Sequence, residues 1–204
     1  LHTVVNGDRV LGLGSIPISK AAGYPGREWK NEPEKWGISE EQLTQAQEDP
    51  TSVKGKRVFF SFLETKTGGY YECTNEKMKE HLLAYERAAQ EGRRDEAVVF
   101  LANLKDEVRA LGKQARVFYA GPLNSLILAK AYFGGMVAAV LASRYNCESA
   151  IGMNPYSMDW QALIEHLKET SDVGFSRDTK KHETCINPQF YELFLAMTNR
   201  IYKD

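Results

Sequence analysis

The sequence comprises 204 residues, enough for one sizeable core and two lobes. Hydrophobic residues make up 43% and charged residues 26%, as in an ordinary soluble globular protein, with no internal repeat or low-complexity tract. The formal net charge of -1 excludes attraction of nucleic acid through global basicity, so any RNA site must be a local patch.

The first seventy or so residues are rich in Gly, Pro, Lys and Glu and read as an irregular, loop-rich lobe. Within it, Ser39 followed by Gln42 forms a capping-box pattern that starts a short helix. Val58 to Leu63 is mostly β-branched or aromatic and predicts a strand. Thr74 or Asn75 caps a longer helix whose face is Met78, Leu82, Tyr85 and Ala89, ended by Glu91-Gly92. Strands are expected at Ala97 to Leu104 and Ala115 to Ala120. Pro122 to Arg144 reads as a long, mostly buried helix. Its apolar run, Ala131 to Ala142, is too short to span a bilayer, so no transmembrane segment is expected. Trp160, Leu163, Ile164 and Leu167 form a helical stripe expected to pack onto the body. Ser171 to Ser176 is a short strand candidate. Asn187-Pro188 opens a last helix carrying Phe190, Phe194, Met197 and Ile201 on one face.

Cys73, Cys147 and Cys185 are odd in number and lack metal-ligand spacing, which favours free thiols in a reducing compartment. No signal peptide is visible, and Leu1 in place of Met points to excision from a longer precursor. The four histidines accompany no nucleophile motif.

Three features carry chemistry. Lys105, Arg109, Lys113 and Arg116 lie between or beside two expected strands, which sets them on a tight hairpin. Converging cations suit a triphosphate: Arg gives planar bidentate donors, Lys a point charge. Asp178 and Glu183 follow the strand candidate at 171–176, and an acid at the end of a buried strand is a natural Mg²⁺ ligand. Ala22-Gly23-Tyr24-Pro25-Gly26 is a turn with an aromatic inside it. Taken singly, the first reads more readily as a solvated hairpin tip, the second as a polar loop and the third as a generic turn.

Together and in this order, they resemble the polymerases of picorna-like positive-strand RNA viruses. Ala21-Ala22-Gly23-Tyr24-Pro25 is similar to the family's Thr-Ser-x-Gly-Tyr-Pro template-entry signature, with Lys20-Ala21 standing where Thr-Ser is usual. Lys105-Asp106-Glu107-Val108-Arg109 closely matches the family's Lys-Asp-Glu-Leu-Arg, and Gly112-Lys113 with Ala115-Arg116-Val117 resembles its second half. Ala120 to Asn124, Ile151 to Ser157 and Trp160 keep the family's spacing. Asp178 to Glu183 falls where the family has Asp-x-x-x-x-Asp, with Glu in the second place. Neither Gly-Asp-Asp nor a Ser-Gly segment with the later Thr and Asn occurs in these 204 residues.

The resemblance implies an α+β, helix-rich fragment of a right-hand polymerase: fingers over residues 1–170 and the start of the palm over 171–204. It implies an RNA-directed RNA polymerase replicating a viral genome in the host cytoplasm, by two-Mg²⁺ nucleotidyl transfer, with Mn²⁺ as the alternative ion. Lys105, Arg109, Arg116 and Lys113 would contact the nucleoside triphosphate. Lys20, Gly23, Tyr24 and Pro25 would contact the template. Asp178 would be the catalytic metal ligand, and Glu183 would lie near the ribose 2′-hydroxyl. The partners are RNA template and primer, nucleoside triphosphates, and a palm and thumb supplied by a further segment or a second chain. The isolated chain is expected to be inactive. The alternatives are one subunit of a split polymerase, a non-catalytic RNA-binding or structural remnant of the fingers, or an unrelated helical scaffold matching three motifs by coincidence.

Overall fold

The computed structural model describes residues 2–18, 20, 22–48, 55–66, 68–93, 98–179 and 185–203. It is mixed helix and strand, in two compact units, Leu1–Met153 and Asn154–Asp204.

In the first unit, the core is built where regular structure is scarcest. Trp29 sits on a 3-10 turn Gly26–Lys30, Trp36 on a second, Glu34–Trp36, and Phe59 on a third, Arg57–Phe59. These side chains cluster with Val5, Ile16, Ile18, Val58 and Met78. The Trp36 ring stacks on His81 at 4.6 Å and tilts against Phe59 at 5.6 Å. Helix α1 (His2–Asn6) is a single turn whose last side chain does the work of a strand. Asn6 accepts from the Tyr71 N–H at 2.7 Å and donates to the Tyr71 carbonyl at 2.8 Å.

Helix α2 (Glu40–Glu48) starts on the expected capping box, with Gln42 N–H donating to Ser39 Oγ at 3.2 Å and Ser39 N–H to Gln42 Oε1 at 3.1 Å. The expected strand at 58–63 starts later, as β1 (Phe60–Thr65), because 57–59 close a 3-10 turn first. It pairs antiparallel with β2 (Gly68–Cys73), Phe60 opposite Cys73. Sequence reading missed β2, since paired glycines weaken a strand signal. At Gly69 a Cβ would meet the Phe62 ring, which would have to shift. Helix α3 (Glu76–Gln90) is capped by Asn75, whose Oδ1 accepts from Met78 N–H at 2.8 Å.

Strands β3 (Leu101–Leu104) and β4 (Val117–Ala120) form a separate antiparallel hairpin, each strand starting later than expected. Ala97, where the first of these strands was expected to begin, lies outside the described residues. Helix α4 (Leu123–Ser143) follows, but the expectation that it is mostly buried is not met. It buries Leu123, Asn124, Ile127, Gly134 and Ala138, while Leu126, Tyr132 and Val137 are exposed. The helix is apolar on every side, and α1 and α3 cover only part of it. It also extends well beyond the 131–142 run. Among the described residues it is the one helix long and apolar enough to cross a bilayer, by length and composition alone. Its first turns belong to the core cluster through Leu123 and Ile127, and Lys130 donates to the Gly14 carbonyl.

The second unit holds α5 (Asp159–Lys168) and α6 (Pro188–Ile201), the latter capped by Asn187, which accepts from Gln189 N–H at 3.0 Å. One expectation fails here. Residues 171–176 are not a strand: no strand among the described residues pairs with them, and Phe175 is 94% exposed. Within this unit the α5 stripe leaves Trp160, Ile164 and Leu167 exposed and Leu163 half-buried.

Candidate functional site

The β3–β4 hairpin presents the cations. Its ladder runs one bond beyond the strands, with Lys105 N–H donating to the Arg116 carbonyl at 2.8 Å. That bond fixes the first and last cation of the loop opposite one another. Residues 105–116 then form a long loop rather than the expected tight hairpin. Within it, Lys113 N–H closes a turn on the Ala110 carbonyl at 3.1 Å, and Arg109 reaches across to donate to the Gln114 carbonyl at 2.6 Å.

Three of the four cations meet at one carboxylate, which sequence reading quoted but gave no role. Glu107 Oε2 lies 3.1 Å from Lys105 Nζ and 3.6 Å from an Arg116 guanidinium nitrogen, and Oε1 lies 3.5 Å from Arg109 Nε. The hydrogen bond from Lys105, helped by the charges of all three cations, holds the Glu107 carboxyl below the usual carboxylate range. Lys113 is exposed at the turn and makes no ion pair among the described residues. The signal for Glu107 was present in the sequence as an acid flanked by cations two residues away on either side.

The Gly23-Tyr24-Pro25 turn is built tightly against the start of α4. Ala22 carbonyl accepts from Leu123 N–H at 2.9 Å, and Gly23 carbonyl accepts from Arg27 N–H at 2.6 Å. Gly23 has φ +74°, and a Cβ there would collide with the Gly121 carbonyl, so both backbone shape and space demand glycine. Tyr24 is partly exposed and Lys20 is exposed.

Beneath this segment lies a residue that sequence reading missed. Lys56 is only 4% exposed. Its ammonium donates to the Lys20 carbonyl at 3.1 Å and the Pro17 carbonyl at 3.3 Å. Its backbone N–H is shared between Ile18 and Lys20 carbonyls at 3.0 and 3.1 Å. Burial pushes its pKa down to about 8. No local pattern announces a buried lysine, because Lys is almost always at the surface.

Asp178 is exposed in an irregular segment, not at the end of a buried strand as expected, since 171–176 pair with no strand among the described residues. Glu183 lies outside the described residues. Among the described residues, no group of three His, Cys, Asp or Glu side chains is placed to hold a metal ion.

Comparison with known proteins agrees with the motif order. The family described as viral RNA-dependent RNA polymerase matches residues 59–204. The genome polyprotein of Rice tungro spherical virus (strain A) is 30% identical over 164 residues, covering 76% of this chain. The replicase polyprotein of Drosophila C virus is 37% identical over 108 residues, and that of Cricket paralysis virus 33% over 98, covering 48% and 46% of this chain. The chain spans only 5–6% of the length of these relatives. The chain belongs to the viral RNA-dependent RNA polymerases, within the picorna-like group that its ordered motifs indicate.

Proposed function

We propose that this chain supplies the fingers, residues 1–170, and the first part of the palm, residues 171–204, of a polymerase that copies a viral RNA genome in the host cytoplasm. In this reading Lys105, Arg109 and Arg116 hold the phosphates of the incoming nucleoside triphosphate, with Lys113 at the rim. The segment from Lys20 through Gly23, Tyr24 and Pro25 guides the template strand. Asp178 contributes one carboxylate toward Mg²⁺ or Mn²⁺, and Glu183 lies near the ribose. The remaining metal ligands come from outside the described residues, from a further palm and thumb segment or a partner chain.

The observation that carries the reading is the convergence of three cations on one loop in a chain of net charge -1. Such a cluster in an otherwise neutral surface attracts a polyanion locally, and Arg109 and Arg116 provide the forked donors that phosphate oxygens accept. The test is binding of a nucleoside triphosphate and of short single-stranded RNA, as a function of salt. Replacing Arg109 and Arg116 together by Ala should weaken triphosphate binding and flatten its salt dependence. Unchanged binding in that double variant would reduce the patch to solvated surface.

A further inference from the structure

We infer that Glu107 is an internal stand-in for a phosphate group: its carboxylate gathers Lys105, Arg109 and Arg116 and yields them when a polyphosphate arrives. The inference rests on the reading of residues 105–116 as a phosphate site and adds a competitor within it.

The geometry shows a carboxylate that is central but poorly matched to its partners. Two oxygens serve three cations, and only the Lys105 separation, 3.1 Å, is within hydrogen-bond range. The two Arg separations, 3.5 and 3.6 Å, exceed the 2.7–2.9 Å or so of a charge-assisted bond. Glu107 Oε1 is enclosed by protein yet accepts no hydrogen bond. A linear polyphosphate offers more oxygens and more negative charge than one carboxylate, so it can satisfy both guanidinium forks and the ammonium together. The side chains of Lys105 and Arg116 are half exposed, open to such an anion from solvent, whereas Glu107 is 22% exposed and sits behind them.

Without Glu107, three like charges would repel one another and spread. With it, they stay near a common point with one of their three charges offset. The carboxyl is held below its usual range, so it stays ionised throughout the neutral region, and protonation does not release the cations there. Exchange for another anion does. The expected consequence is lower affinity for any free polyphosphate than the three cations would otherwise show, which favours turnover of ligand over tight retention.

The experiment is calorimetric titration of the chain with inorganic tripolyphosphate at several salt concentrations. Glu107→Gln should bind about two- to fivefold more tightly than wild type, the upper part of the range of one exposed ion pair, and with a steeper salt dependence. Asp106→Asn is the charge-matched control. Asp106 is adjacent and exposed and makes no ion pair among the described residues, so its loss should change affinity less than twofold. Equal or weaker binding by Glu107→Gln would make Glu107 a structural brace and overturn the inference. Equal gains in the two variants would show only a bulk charge effect and overturn it as well. If wild-type binding is itself indifferent to loss of Arg109 and Arg116, the phosphate-site reading fails first and this inference falls with it.

Discussion

The described residues of 2–93 contain two short helices besides α3, three 3-10 turns and one two-stranded sheet, and they hold most of the buried apolar side chains. Residues 154–203 are dominated by two well-formed amphipathic helices, and among their described residues the one buried side chain is Thr198. Regularity and burial are thus separated in this molecule. Helical periodicity is a local property, set by residues three and four apart, and it produces a stripe whether or not anything covers it. Burial needs distant segments to meet. In the N-terminal region, turns at Pro25, Pro33 and Gly37 bring Trp29 and Trp36 onto Phe59 and Met78 from far along the chain.

The sharpest way to break this contrast is to cut the irregular core. Phe59 is completely buried beneath Trp36. Phe59→Ala should cost about 3–5 kcal/mol, the usual range for an aromatic deletion that leaves a cavity. Chemical denaturation measures it. A cost below about 1 kcal/mol, the scale of ordinary substitutions, would mean that the 3-10 turns collapse freely into the space and are no true core.

The next largest effect is a pH dependence from Lys56. Its folded pKa is about 8 against an ordinary 10.5. Between those values the unfolded chain keeps a proton that the folded chain has released. The unfolded state then binds more protons, so stability rises with pH across the window. The stability of wild type minus that of Lys56→Met should rise by roughly 3 kcal/mol from pH 7 to pH 10.5, at about 1.4 kcal/mol per pKa unit. Parallel curves for the two proteins would show that the ammonium is solvated and does not brace the 17–20 segment from below.

Gly23 tests the join between that segment and α4. Gly23→Ala places a Cβ against the Gly121 carbonyl at positive φ, and should cost about 1–3 kcal/mol. It should also weaken RNA binding if the turn guides template. Loss of stability with RNA binding untouched would separate the turn's structural role from its proposed functional one.

How much of this was legible in the sequence follows the same division. Helices α2 to α6 were legible because caps and spacing are local: the Ser39–Gln42 box, Asn75 and Asn187 act where they were expected to. The hairpin carrying the cations was legible because two apolar segments, Leu101–Leu104 and Val117–Ala120, flank a charged loop. What was illegible depended on partners. The 171–176 strand needed a neighbour to pair with, β2 hid behind Gly68-Gly69, and nothing near Lys56 in the sequence marks it as buried. At the site, the cations were visible as residue types, but the carboxylate that gathers them required Lys105 and Arg116 to be brought opposite by the β3–β4 ladder.

The smallest expected effect lies on α5, and it tests the other half of the contrast. Leu167 points into solvent beside Trp160, which is 48% exposed, and Ile164. Leu167→Ala is informative because Leu and Ala are both strong helix formers, so the change hardly alters intrinsic helix stability. What remains is the loss of whatever apolar area the side chain buries, and an exposed position has little to lose. The cost should be below about 0.5 kcal/mol, as for surface substitutions generally. The cost belongs beside that of Phe59→Ala under identical denaturation conditions, with the slope of each transition recorded to show that the same surface unfolds. A loss of about 2 kcal/mol or more for Leu167→Ala would show that in solution the stripe is covered. Dependence of that loss on protein concentration would make the cover a second copy of the chain, because association between copies responds to it.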